Sequence, residues 1–320
     1  MDTISKWNII FVTVEFTVCL LGITFNTLVI YTISKNIYRL SPPTYLILSI
    51  AVSDFLSCSI ALPLSIAKHL QKEWPFGVRG CRAHAFLISF LALVSIAHLA
   101  AISAGKYLTI TRSLSRNSYF NKKKVMLIIL FSWMYSLGFS LGPLVGWSRY
   151  GPEGTNATCS VQWRSYLPAD QAYFGTVTVA RYFLPLTVIT FCYYKIHKVS
   201  RHIVVNTSRM GCLAVTATHA LLKRHRKSAM YFLTIIAAFL IPWSPYVVVS
   251  FLLVSGINIS PLTTSSCSVF ARISFFVNPV LYTIFHRRFR RRLVRSVPIT
   301  RQNRVVGPTG LPSTSRSLAL

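Results

Sequence analysis

The sequence predicts an all-α fold, a bundle of seven transmembrane helices followed by a short amphipathic cytoplasmic helix. Three observations lead there. Seven apolar runs are each long enough to cross about 30 Å of hydrocarbon at about 1.5 Å per residue. Of the 320 residues, 53% are hydrophobic and only 12% are charged, where a soluble domain carries roughly 25% charged residues. The basic residues are also divided unevenly between alternate connecting segments.

The runs are Trp7–Ser34, Thr44–Ala67, Ala83–Ile110, Val125–Trp147, Tyr173–Tyr194, Met230–Val254 and Leu262–Phe285. The first is too long for a signal-peptide core and no small-residue cleavage site follows it, so it reads as a retained span. The third is the least certain by hydropathy, because His84, His98 and Lys106 interrupt it. Arg287–Val297 is basic and amphipathic and makes the eighth helix. Ile299–Leu320 mixes Ser, Thr, Pro and Gly without an apolar period, as disordered tails do. The expected organisation is a membrane domain over residues 1–297 and a disordered cytoplasmic tail over 298–320.

Charge sets the orientation. With the N-terminus outside, 25 of the 34 Lys and Arg residues fall on the inner side, as the positive-inside rule requires. All six acids, Asp2, Glu15, Asp54, Glu73, Glu153 and Asp170, fall elsewhere. The net charge of +28 therefore describes a cationic inner face and not a nucleic-acid-binding protein. Anionic inner-leaflet lipid is one partner for that face, at about 1 kcal/mol per basic residue. An acidic cytoplasmic protein is another. The location this predicts is the plasma membrane, multi-pass.

One stretch stands out. Val269–Tyr282, VFARISFFVNPVLY, carries a cation, Arg272, in its middle and a polar pair, Asn278 and Tyr282, at its lower end. A charge at the centre of an apolar span costs about 2.5–3.5 kcal/mol on insertion scales. Arg272 thus requires a partner or a purpose.

The seven cysteines show no zinc-ligand spacing, and no metal site is expected. Most lie inside apolar runs, while Cys81 and Cys159 face loops. Among sequons on the outer side, Asn156-Ala-Thr158 is the better glycosylation site, since Asn258-Ile-Ser260 lies close to the membrane.

Seven spans with an outer N-terminus, together with ordered landmarks, resemble the G-protein-coupled receptors. The landmarks are Asn26, Asp54 in SIAVSDF, Trp133, Pro185 with Tyr193, Trp243-Ser-Pro245, and Asn278-Pro279-Val-Leu-Tyr282. The resemblance implies the rhodopsin-like bundle over residues 7–297. It implies a disulfide from Cys81 to Cys159, which an outer-face location permits. It also implies a buried polar layer built on Asp54 and Asn278, and an activation and G-protein switch involving Lys106, Tyr107, Tyr193, Pro279 and Tyr282. A receptor, not an enzyme, is the expected class.

Within that family the chain resembles opsins. GWSRYGPEG (146–154), followed by Cys159, looks like the opsin lid over the retinal pocket, and PLTVITFCYY (185–194) and PWSPY (242–246) agree. WPFGVRGCRAHAF (74–86) resembles the non-visual branch that holds neuropsin, peropsin and the retinal photoisomerase. The resemblance makes Glu153 a counterion-like carboxylate and Trp243 and Tyr246 pocket aromatics, and it implies a photoreceptor-related receptor. His84, three residues after Cys81, reads as a polar pocket lining. His98 reads as a satisfied core histidine.

Two departures matter. The opsin Schiff-base lysine would stand six residues before Asn278, where this chain has Arg272. A Schiff base needs a neutral amine, and a guanidinium with a pKa above about 12 does not supply one. The seventh run contains no lysine. Lys68, at the outer end of the second run, is the one substitute amine considered. Retinal is therefore expected only non-covalently, or replaced by another small apolar ligand, with an acidic group for Arg272. The second departure is Gly105-Lys106-Tyr107, where the family has an acid followed by Arg-Tyr. His225, in the basic stretch Lys223–Lys227 before the inner end of the sixth run, stands where a partner acid would sit, and the inner side has no acid to form an ionic lock. That puts coupling to a heterotrimeric G protein in doubt, with arrestin as a further cytoplasmic partner. High basal activity is the other outcome.

For Arg272 itself, depth narrows the choice. Taking Asn26, Asp54 and Asn278 as one level, Arg272 lies ~9 Å above it and Glu15 ~16 Å above it. The difference is within reach of the two side chains on neighbouring first and seventh spans. Glu15 is the leading partner, serines with backbone carbonyls the second, and Glu153 the third. The alternatives to an opsin-like receptor are a retinoid-binding or photoisomerase-like protein and a receptor for a non-opsin chemical ligand.

Overall fold

A computed structural model describes residues 3–35, 40–71, 74–111, 121–156, 158–207 and 212–285. The eighth helix and the tail lie outside the described residues, as do the side chains of Tyr282 and His225.

The first helix is Thr3–Ser34. The second runs Pro42–Leu56, passes through a wide π turn at Ser57–Ala61, and continues as Leu62–Gln71. The third is Gly77–Thr111 and the fourth Lys122–Leu141. The fifth runs Pro168–Thr178, a π turn at Val179–Phe183, then Leu184–Thr207. The sixth is Cys212–Val254. Six of these spans are long and apolar enough to cross a membrane.

Both π turns sit just ahead of a proline, Pro63 and Pro185. Proline lacks an N–H and its ring clashes with the carbonyl four residues back. Widening the preceding turn is one way to accommodate it.

The expected seventh run, Leu262–Phe285, is not one continuous helix. It is Pro261–Ala271 followed by Ser274–Phe285. Around the break, backbone bonds run to the third residue back: Arg272 N–H to Val269, Ile273 to Phe270, Phe275 to Arg272 and Phe276 to Ile273. The helix is overwound at Arg272, and such a tight turn inside a span changes where the following side chains point.

The helices form a ring around the third. The third packs against the second, fourth, fifth and sixth, and the first lies between the second and seventh. This central place explains why the third run tolerates His84 and His98. Both are fully buried and away from lipid. Large apolar side chains such as Phe16, Leu127, Phe131 and Phe251 are exposed around the outside, as a lipid-facing surface requires.

Between the fourth and fifth helices, β1 (Tyr150–Glu153) and β2 (Thr158–Val161) form an antiparallel hairpin. A disulfide from Cys159 on β2 to Cys81 at the top of the third helix, with Cα atoms 5.5 Å apart, pins it over the bundle. The turn needs left-handed backbone at Gly154 and Asn156, φ +61° and +60°. A Cβ at residue 154 would collide with Ser265 and the Pro261 carbonyl. Thr155 N–H donates to Ser265 Oγ at 3.1 Å, docking the hairpin tip on the seventh helix. Asn156 is exposed at that tip.

Candidate functional site

Arg272 is the largest fully buried side chain among the described residues, 2% exposed. Its guanidinium is directed to the first, second and third helices. Nη1 donates to Glu15 Oε1 and to Ser65 Oγ at 2.9 Å. Ser65 Oγ in turn donates to Glu15 Oε1 at 3.1 Å. Nη2 lies 3.2 Å from His84 Nε2.

That last contact fixes the histidine. A guanidinium can only donate, so His84 Nε2 accepts. Its Nδ1, 3.0 Å from the Ala61 carbonyl, then carries the proton. His84 is a neutral imidazole held between a cation and a backbone acceptor. Trp74 packs on its ring at 5.1 Å. His69 Nε2 stands 4.0 Å from Glu15 Oε1, and Lys68, also buried, adds positive potential at the same carboxylate.

Glu153 is elsewhere. On the hairpin it accepts from Tyr246 Oη at 2.9 Å and from Thr158 Oγ1 at 3.1 Å. Burial pushes its carboxyl above the usual value of 4.5, against the opposing pull of the hydroxyls that donate to it. Tyr246 Oη also accepts from Trp163 Nε1 at 3.1 Å, so the lid and the sixth helix are joined by a short polar chain.

Inside the bundle and below the hairpin is a cavity of ≈ 120 Å³. Trp243, Tyr246 and Arg272 line it, as expected for pocket residues. Glu15, His84 and Glu153 do not. The sequence expectation of all three in the pocket lining is not met. Each is buried and held by the protein: His84 by Arg272 and the Ala61 carbonyl, Glu153 by Tyr246 and Thr158, and Glu15 through Oε1, while its Oε2 has no hydrogen-bond partner among the described residues. Lys68 is not on the wall either. Trp243 at the floor donates to Ser274 Oγ at 2.9 Å, just past the break in the seventh helix.

Deeper, the expected polar layer is present. Ser95 Oγ donates to Asp54 Oδ1 at 2.9 Å and Asn278 Nδ2 reaches Asp54 Oδ2 at 3.3 Å. Pro279 has no N–H for the carbonyl of Phe275, four residues back. Asn26 Nδ2 supplies the missing donor at 2.9 Å, which is how a proline kink within lipid becomes tolerable. Toward the cytoplasmic end, Tyr107 packs edge-on to Phe191 and clusters with Tyr193, Ile110 and Ile196. Lys106 lies beside it on the third helix, half-buried.

Ser65 was not singled out by the sequence, and nothing local marks it. Arg181 was also passed over, although the cost argument that singled out Arg272 applies equally to a cation in the fifth apolar run. It lines the cavity.

Comparison with known proteins agrees with the fold. The sequence profile described as "7 transmembrane receptor (rhodopsin family)" matches residues 25–282, well over half the chain. Melanopsin-A of Gadus morhua is 34% identical over 286 residues, 88% of this chain and 51% of that one. Melanopsin of Rattus norvegicus is 34% identical over 291 residues, 89% of this chain and 61% of that one. The chain thus spans roughly half to three fifths of the length of these curated relatives. The crystal structure of squid rhodopsin superposes with a TM-score of 0.82 at 25% identity, covering 91% of this chain and 86% of that one.

Proposed function

The chain belongs to the rhodopsin family of seven-transmembrane receptors, and from that premise we propose that it is an opsin-like receptor that has given up covalent retinal attachment. It takes a small apolar ligand non-covalently in the cavity under the hairpin, with retinal as one such ligand. The observation that carries this reading is Arg272. The position that would hold the Schiff-base amine holds a guanidinium engaged by Glu15, Ser65 and His84. No nucleophilic nitrogen is available there.

Further parts of the reading rest on the sequence. The N-terminus and Asn156 lie outside, with Asn156 glycosylated, and residues 1–297 form the receptor domain. The cationic inner face meets lipid, a heterotrimeric G protein and arrestin, with Lys106 and Tyr107 at the switch. Gly105 and the acid-free inner side leave the resting state without an ionic lock, so basal signalling is the expected phenotype. Kinship to the neuropsin, peropsin and photoisomerase branch is carried by residues 74–86 alone. Retinoid handling through a Schiff base is disfavoured by Arg272.

The test is reconstitution with 11-cis-retinal followed by acid denaturation. The wild type is expected to retain retinal, if it binds it, only while folded, and to yield no protein-bound chromophore after denaturation. A chromophore that stays attached would sink the proposal.

A further inference from the structure

Arg272 has its carboxylate; among the described residues Arg181 has none. Arg181 comes from the π turn of the fifth helix and lines the same cavity, half-buried. Its Nη2 donates to the hydroxyls of Ser89 and Ser140, the latter at 3.2 Å. Its Nε has no hydrogen-bond partner. Among the described residues no carboxylate lies within 4.0 Å of it. The nearby phenols do not supply a negative charge. Tyr135, Tyr150 and Tyr173 donate their protons to the carbonyls of Ala180, Ser140 and Phe139. Of the acids near the cavity, Glu15 is committed to Arg272, and Glu153 to Tyr246 and Thr158.

A half-buried cation held only by hydroxyls is incompletely compensated. Around it the walls are apolar, with Ile88, Ala92, Val177 and Phe239 among them. An apolar cavity with a few convergent polar groups is the form of a specific ligand site, and of its two lining cations, Arg181 and Arg272, only Arg272 is paired with a carboxylate among the described residues. A guanidinium fork suits a carboxylate, which it can engage through two parallel hydrogen bonds.

We infer that the ligand is an amphipathic carboxylate, an apolar body with a single acid group that docks on Arg181. This deepens the proposed non-covalent pocket and rests on it. It also moves the acid-recognising role from Arg272, where the sequence placed it, to Arg181.

The experiment measures binding of matched pairs to the purified full-length receptor: retinoate against retinol, and oleate against oleyl alcohol. At least one acid is expected to bind about tenfold or more tightly than its alcohol, the size of a charge-assisted contact. Arg181→Gln is expected to abolish the preference while leaving the affinity for the alcohol little changed. Arg181→Lys is expected to keep part of it. Equal binding of acid and alcohol by the wild type overturns the inference whether or not the variants fold. Alcohol binding in that case leaves the apolar-pocket reading standing. A preference that survives in a folded Arg181→Gln receptor also overturns it, because the acid is then read elsewhere. If all four compounds and 11-cis-retinal fail to bind, the pocket reading falls together with the inference.

Discussion

Arg272 and Glu15, 257 residues apart in sequence, form an ion pair between the seventh and first helices, with Ser65 of the second helix bonded to both. The pair is sealed from solvent, with the Glu15 side chain 0% and that of Arg272 2% exposed. Its worth lies less in net attraction than in what happens when half of it is removed.

Removing one partner leaves an uncompensated buried charge, at a cost of about 3–5 kcal/mol. Glu15→Leu and Arg272→Leu are each expected to lower the thermal stability and surface expression of the receptor sharply. The double variant, which removes both charges, is expected to recover a large part of the loss. Thermal melts of the detergent-purified proteins would form the cycle. Additive losses would mean that the two residues do not depend on each other.

Asn26 and Pro279 are coupled in a similar way. Asn26→Leu leaves the Phe275 carbonyl buried without a donor, at about 1–3 kcal/mol. Pro279→Ala restores the helical N–H that the carbonyl lacked. The Asn26→Leu penalty is therefore expected to be smaller in the Pro279→Ala background. An equal penalty in both backgrounds, measured by thermal unfolding, would show that Asn26 acts through some other contact.

Glu153 should leave a signature in pH. Its carboxyl is raised above 4.5 in the folded protein, burial being the dominant cause. A folded-state acid with a raised pKa binds more protons folded than unfolded in the window between the two values. Its stabilising effect is thus fully present below pH 4.5 and is lost as pH climbs through the raised value. The melting temperature of wild type minus that of Glu153→Gln is expected to fall across that window. A flat difference would contradict the assignment of the burial effect to this residue.

The disulfide holds the hairpin, and with it the roof of the cavity. Cys81→Ser with Cys159→Ser is expected to cost about 2–5 kcal/mol. Because Tyr246 hydrogen-bonds Glu153 on the hairpin, the loss should extend to ligand retention. Ligand dissociation from the double serine variant is expected to be faster than from wild type, measured at a temperature where both remain folded.

Much of this protein could be read without coordinates. Hydropathy accumulates along the chain, so seven spans were visible as seven runs. The polar layer was legible because Asn26, Asp54 and NPVLY sit at characteristic places within their runs. The arginine six residues before Asn278 was legible too, since it depends on the identity of one residue and not on its neighbours. Even the partner of Arg272 was partly accessible, because axial rise per residue places Glu15 at a reachable depth.

Depth is only one coordinate, and the tertiary structure supplied the others. Whether Arg272 turns toward the first helix or toward the hairpin depends on helix rotation and on the overwound turn at residues 272–273, which no hydropathy pattern encodes. Ser65 and His84 join the site only because the second and third helices pack beside the seventh. Glu153 is removed from the wall by the register of a hairpin and the reach of Tyr246. The sequence by itself determined that the seventh span carries a cation, Arg272. Which carboxylate neutralises that cation, and which other arginine is left facing the cavity without one, was decided by packing, because side chains distant in sequence meet only when the helices are assembled.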